Sequence, residues 1–192
     1  AESTTHGGAP GSPWPGVLKA VPPGFDDSSM GELQVGIGSS VSIDSAQGGR
    51  EAAQAAVAEL LGGTPKLIMV FASIAHDLPA LVAAVRDATG GAPLVGATTS
   101  GVFHDGLVTP PGHNVTVLAL TAGPYRYGVS SVTGLLGDPL DAGKRLARTC
   151  RDAVGPDRQS KAAMILLADG VGGDLQALLA GIYQIGGAGV PI

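Results

Sequence analysis

The chain has little charge, few aromatic residues and a single cysteine, and each shortage excludes a class of protein. Charged residues make up 14% of the 192 positions, well below the roughly 25% usual in a soluble domain. The 11 basic side chains are scattered among 16 acidic ones, for a net charge of −5. No basic cluster exists to track a nucleic acid or an anionic membrane surface. One Trp, three Tyr and three Phe are too few for a base-stacking platform. Cys150 alone closes no internal disulfide and builds no Cys-rich metal site, which fits a reducing, cytoplasmic setting. The longest apolar run, residues 67–72, falls far short of the ~20 residues a membrane-spanning helix needs.

What is present is apolar and small. Apolar residues make up 44% of the chain, enough to exclude disorder over most of it. There are 31 Gly and 14 Pro, without the triplet period of collagen. With aromatics scarce, the core must be built from Ala, Val, Leu and Ile. That composition suits helices packed closely on a sheet.

Residues 1–31 are rich in Gly, Pro, Ser and Asp, and show no sustained period. They read as a flexible or irregular arm, with neither the basic start nor the apolar core of a secretory leader. From residue 32 the pattern changes. Residues 32–43 (ELQVGIGSSVSI) alternate as a strand does. Residues 45–61 carry a helical stripe of Ala53, Ala56, Val57, Leu60 and Leu61, with Asp44 or Ser45 as cap and Gly62-Gly63 as stop. Residues 65–73 (PKLIMVFAS) are continuously apolar, as expected of a strand covered on both faces. Asp77 can cap a second helix with Leu78, Leu81, Val82 and Val85 inward, and residues 92–101 (APLVGATTSG) run from a short strand into a polar turn.

Residues 114–120 and 125–132 read as an antiparallel hairpin joined by Thr121-Ala-Gly-Pro124. Asp138-Pro139 opens a helix in the preferred cap-then-proline order, running to about Val154. Residues 161–169 (KAAMILLAD) form a second apolar run, 174–185 a further helix, and 189–192 the start of another strand. This stretch repeats the earlier one. Residues 65–73 align with 161–169, the stripe Leu78, Leu81, Val82, Val85 with Leu175, Leu178, Leu179, Ile182, and Pro93 with Pro191. The fold class expected is α/β: a mixed, mostly parallel sheet flanked by helices, with two related β-α-β units and an inserted antiparallel hairpin. Because the second copy stops inside a strand, residues 32–192 read as a domain truncated before a C-terminal half.

Ligands of open α/β sheets bind beyond the carboxyl ends of the strands. Three such ends occur here: Ser73, the turn Thr98-Thr99-Ser100-Gly101, and Asp169-Gly170. Together they offer hydroxyls, backbone N–H groups and one carboxylate, a set suited to a small polar molecule. Asp169 can accept an ammonium while the turn donates to a carboxylate. Each of these groups can instead simply satisfy a turn or a helix cap. A serine-dependent hydrolase or transferase is the alternative, using Ser73 or Ser100 with His76, His104 or His113 and Asp169 or Asp105 as orienter. No G-x-S-x-G elbow supports it, and His76 and His113 read as solvated loop residues. The four His are too dispersed for a metal site, and no phosphate-binding glycine loop is complete. The sequence assigns no cofactor.

The ordered pieces Gln34-Val-Gly-Ile-Gly-Ser39, Ala52-Ala53, Leu67-Ile-Met-Val-Phe-Ala-Ser73, Pro93-Leu-Val-Gly-Ala-Thr-Thr-Ser-Gly101, Val115-Thr-Val-Leu-Ala-Leu120 and Ile165-Leu-Leu-Ala-Asp-Gly170 resemble the N-terminal part of the FIST sensory domain. The resemblance covers residues 33–192. It implies a non-catalytic, ligand-sensing input module of a signal-transduction protein, with amino acids among its expected ligands. Its implied partners are a small molecule and a C-terminal FIST half or signalling output domain. Where the family pattern has Gly-Glu-Ile after the turn, this chain has Gly101-Val-Phe103.

Overall fold

A computed structural model describes residues 31–104, 107–109, 112–155, 162–169 and 172–192. The predicted arm, apart from Gly31, lies outside these residues, as do Asp105 and Gly170. Ten elements follow in order: β1 (Val35–Ser40), α1 (Ser45–Ala58), β2 (Leu67–Ser73), α2 (Leu78–Ala88), β3 (Leu94–Thr99), β4 (Val102–His104), β5 (Leu107–Thr109), β6 (Val115–Leu120), α3 (Pro139–Val154) and α4 (Leu175–Gly186). All four helices among the described residues start from an aspartate. Asp44, Asp77, Asp138 and Asp174 accept from the backbone N–H of Gln47 (2.7 Å), Ala80 (3.2 Å), Asp141 (2.9 Å) and Ala177 (3.0 Å). Each cap satisfies a donor that the first helical turn leaves unpaired, a contribution of about 1 kcal/mol.

The main sheet has the order β1-β6-β2-β3. β6 runs antiparallel to both β1 and β2, while β2 and β3 are parallel. Three of the four strands therefore point one way and β6 alone is reversed. The α/β class and mixed sheet agree with the sequence reading, but two of the three pairings are antiparallel. Val117 lies opposite Gly38 on one side and Val70 on the other.

The predicted hairpin does not form. Residues 114–120 contain β6, but residues 125–134 hold no strand. Both edges of β6 are already occupied, by β1 and β2, so no edge remains for a strand that follows it. The inserted hairpin is instead β4–β5, which forms a separate two-stranded sheet. No strand forms over residues 162–169 either, nor over 191–192. The earlier counterpart of residues 162–169, β2, is held by β6 and β3 together. Among the described residues the later copy has no equivalent of β6.

Two apolar clusters result. The first joins Ala52, Ala53, Ala56 and Leu60 of the α1 segment to Ile68, Val70, Leu81, Val85, Val115, Val117 and Ala119. The second joins Ala142, Leu146 and Ala147 of α3 to Leu178 and Ile182 of α4, with Val132, Met164 and Leu166 packed on it. Helix α1 lies directly on β1 because Gly36 and Gly38 carry no side chain. A Cβ at Gly36 would strike the Ala56 carbonyl, and one at Gly38 the Ala52 carbonyl and the Ala56 nitrogen.

Gly38→Val should therefore destabilise the domain by roughly 2–3 kcal/mol, since backbone cannot yield as a side chain can. Gly137→Ala, where only the Gly134 carbonyl at 3.5 Å stands nearby, should stay within about 0.5 kcal/mol. Urea denaturation of the two variants checks the contrast.

Candidate functional site

Because β6 is reversed, its amino end meets the carboxyl ends of β1 and β2. Ser40 and Ala72 both face Val115, and Ser73 lies beside Thr99 across the parallel pair. One rim of the sheet thus gathers Ser39, Ser40, Ser73, Thr98, Thr99 and Asn114. The N-termini of α1 and α2 add Ser45 and His76 close to it.

Ser73 is buried, with its backbone tied on both sides. Its N–H donates to the Asn114 carbonyl at 2.8 Å, and its carbonyl accepts from the His76 N–H at 3.2 Å. Its Oγ accepts from the Ala75 N–H at 3.1 Å. Thr99 closes the next strand end. Its Oγ1 donates to the Gly101 carbonyl at 2.6 Å and accepts from the Gly101 N–H at 3.0 Å. These bonds are local turn chemistry, so Ser73 and Thr99 both fix loop shape. Thr98, Ser100 and Gly101 are exposed. The sequence-predicted set is therefore brought together in part: Ser73 and Thr98–Gly101 share the β2–β3 end. Asp169, exposed, lines a different concavity of about 300 Å3 with Val132, Thr133, Leu135, Leu136 and Gly172.

The rim also holds a residue whose importance the sequence hid. His76 is only 6% exposed, not a solvated loop histidine. Its Nδ1 lies 3.2 Å from Ser45 Oγ, which also accepts from the Asp77 N–H at 2.9 Å. Its ring meets that of His113 edge-on, with centroids 5.4 Å apart. Nε2 reaches no partner in hydrogen-bond geometry. Burial holds the imidazole below its ordinary value of 6.5, and the neighbouring His113 pushes it the same way. The nearby backbone of Asn114 and His113 partly opposes both. The imidazole therefore pairs with Ser45, whereas the alternative reading as a hydrolase sought Ser73 or Ser100. The His104 side chain lies outside the described residues. Cys150 sits half-buried over the Gly128 carbonyl, 3.7 Å from it, and burial raises its pKa; it is a packing residue.

A larger open concavity of about 460 Å3 lies at the opposite ends of β2 and β3, walled by Thr64, Lys66, Thr89 and Pro93 among others. There the backbone donors are consumed: Lys66 N–H on Leu120, Ile68 N–H on Pro93 and Gly91 N–H on Arg86. The carboxyl-end rim keeps the better ligand chemistry, namely exposed hydroxyls and a neutral imidazole. No group of three or more His, Cys, Asp or Glu among the described residues is placed to hold a metal ion. No described helix is long and apolar enough to cross a membrane.

Comparison with known proteins yields one family. The model of the FIST N domain matches residues 66–192, more than half of the chain. No characterised protein sequence matches. Among solved structures, an FtsZ mutant from M. jannaschii is 22% identical over 51% of this chain and 30% of its own, with a TM-score of 0.30. An empty FtsZ dimer from the same organism is 20% identical over 55% of this chain and 34% of its own, also at 0.30. The chain spans about a third of the length of these structures, and likenesses at this level say nothing of function.

The His76 environment fixes a sign for pH dependence. The unfolded chain binds a proton at its ordinary value, and the folded chain only at a lower pH. Between the two values the unfolded state holds more protons, so stability rises with pH across that window. Acidification from 6.5 downward should weaken the fold until the folded-state value is passed. Thermal melts at stepped pH should show this slope in the parent and its loss in His76→Gln; an unchanged slope in the variant would assign it to other groups.

Proposed function

This chain belongs to the FIST N domain family, and from that membership we propose that it is the ligand-sensing input part of a signal-transduction protein. The ligand class is a small zwitterion such as an amino acid. The observation that carries the proposal is the β2–β3 rim, where Ser73 and Thr99 stand side by side and Thr98, Ser100 and Gly101 are exposed. Exposed hydroxyls and backbone N–H groups on rigid strand ends suit a ligand carboxylate. Asp169, which ends the repeated segment as Ser73 ends β2, lines the other concavity and takes no part in holding a ligand on this rim. The α1 and α2 N-termini are each already faced by a carboxylate, Asp44 on the Gln47 N–H and Asp77 on the Ala80 N–H, so they are not assigned to the ligand. The role is binding rather than turnover: the buried imidazole is engaged by Ser45, and Ser73 Oγ is used as an acceptor in its own turn. The signal passes to a C-terminal FIST half or an output domain.

Isothermal titration with a panel of amino acids should reveal saturable binding. The double variant Thr98→Val/Ser100→Ala removes two exposed hydroxyls worth about 1 kcal/mol each, and should weaken that binding roughly 10- to 30-fold. Asp169→Ala, a change in the other concavity, should leave that binding unchanged. Parent-like affinity in the double variant would displace the site from this rim.

A further inference from the structure

The loop from β2 to α2 hangs on one inward side chain. Of residues 74–77, Ile74, Ala75 and Asp77 are exposed and His76 alone is buried. Ile74 is 79% exposed, so no aliphatic anchor holds the loop down. A few hydrogen bonds hold it instead. Ser73 takes the Ala75 N–H on its Oγ at 3.1 Å and the His76 N–H on its carbonyl at 3.2 Å. Ser45 Oγ accepts from the Asp77 N–H at 2.9 Å and meets His76 Nδ1 at 3.2 Å. The one buried side chain of the loop is therefore also the kind that changes charge near neutral pH.

The later helices show that capping does not need this pair. Asp77 caps α2 as Asp174 caps α4, and Asp44 caps α1 as Asp138 caps α3. Gly173 precedes Asp174 where His76 precedes Asp77, and Pro139 follows Asp138 where Ser45 follows Asp44. The cap bond of α4 is 3.0 Å and that of α2 is 3.2 Å. The contact between His76 and Ser45 is thus an addition to the first half, beyond what a helix entry requires.

The surroundings of the imidazole suit the neutral ring alone. With one proton on the ring, Nδ1 and Ser45 Oγ can share a hydrogen bond in either tautomer. A second proton makes both nitrogens donors, and the buried Nε2 has no acceptor in hydrogen-bond geometry. A buried charged donor left unmet costs more than a neutral one. No carboxylate compensates among the described residues. On α1, Asp44 is turned onto the Gln47 N–H, and Glu51, further along, takes Ser40 and Gln47. On α2, Asp77 is turned onto the Ala80 N–H. The ends of β2 and β3 offer hydroxyls and no charge, and the approach to β6 brings a second imidazole, His113, edge-on at 5.4 Å. Burial first, and then His113, favours the uncharged ring, against a smaller opposing effect of the Asn114 and His113 backbone.

We propose that His76 is a proton-operated latch on the carboxyl-end rim: on taking a proton from solvent, the imidazole leaves its place beside Ser45, and residues 74–77 lift away from Ser73 while the sheet stays formed. The open loop binds the proton more readily than the closed one, so acid opens the rim and base closes it. One proton is taken up per opening. Closure therefore weakens roughly tenfold per pH unit across the window that begins at 6.5 and runs downward. As control over ligand occupancy the latch rests on the proposed sensing role; as a movement of the loop it stands independently.

The test uses the 192-residue chain and amide hydrogen exchange followed by heteronuclear NMR, with protection referred to the intrinsic rate at each pH. The N–H groups of Ala75, His76 and Asp77, each bonded in the closed loop, should lose protection roughly tenfold per pH unit below 6.5. The ladder amides of β6 should keep theirs. His113→Gln removes the second imidazole and should move the midpoint of opening upward, toward 6.5. His76→Gln should abolish the pH dependence. Three results would overturn the latch: protection constant from pH 7 to pH 5, loss of protection in step with β6, or a midpoint that His113→Gln does not move. Should His76→Gln loosen the loop at every pH, the His113 variant, which leaves His76 in place, still decides. Titrating the amino-acid panel at pH 7 and pH 5 separates the latch from the sensing role. Weaker binding at pH 5 joins the two, and equal affinity at both overturns control of the rim by the latch. Absence of binding at both, with the loop opening as expected, removes the sensing role and upholds the latch.

Discussion

The strand that makes this domain is the one that runs backwards. β6 lies between β1 and β2 and supplies both of their inner ladders. A β-α-β unit normally places its two parallel strands beside each other or leaves room for a later one. Here the room is filled by a later strand of opposite sense. Val115, Val117 and Ala119 point into the same cluster as Ala52, Ala53, Ala56, Ile68 and Val70, so one six-residue strand fixes two registers and closes the core beneath α1. The small residues of α1 and the glycines of β1 permit that closure. With so little aromatic and charged material in the chain, close backbone approach replaces bulky packing.

The chemistry of the rim follows from the same reversal. An antiparallel strand brings its amino end to its neighbours' carboxyl ends. The Asn114 carbonyl therefore reaches the Ser73 N–H, and His113 arrives edge-on against His76. The burial of His76, its contact with Ser45 and the fixed turn at Ser73 are consequences of topology as much as of local sequence. The rim thus carries hydroxyls on its strand ends and a buried imidazole beside them.

Helices were legible in the sequence almost to the residue, because an Asp cap, an apolar stripe and a glycine stop each act within a few positions. β1, β2 and β3 were legible for the same reason: periodicity is local. Pairing was not. Residues 125–132 follow β6 closely and alternate as a hairpin partner would, and nothing nearby in the chain reveals that both edges of β6 are already taken. The run AAMILLA has the composition of a buried strand, but a strand is defined by its neighbours, and residues 162–169 have no β6 equivalent described beside them. Ser73 and the Thr98–Gly101 turn could be placed together because parallel strands joined by a helix align their ends. The tie between His76 and Ser45 spans 31 positions, and no motif announces it.

The repeat explains why two halves of such similar sequence differ in order. Each half has a pair of helices clasped through glycine, and in the later pair Gly143 and Gly181 both face a partner backbone. Helix pairs of this kind need only local contacts, so both halves form them. Sheets need a central strand brought from further along the chain, with the loop-closure cost that entails. Only the first half has that strand among the described residues. Its β2 is largely buried, and the later apolar segment packs Met164 and Leu166 on the α3–α4 layer. The helical layer is the part each half builds alone, and the sheet is the part that depends on β6.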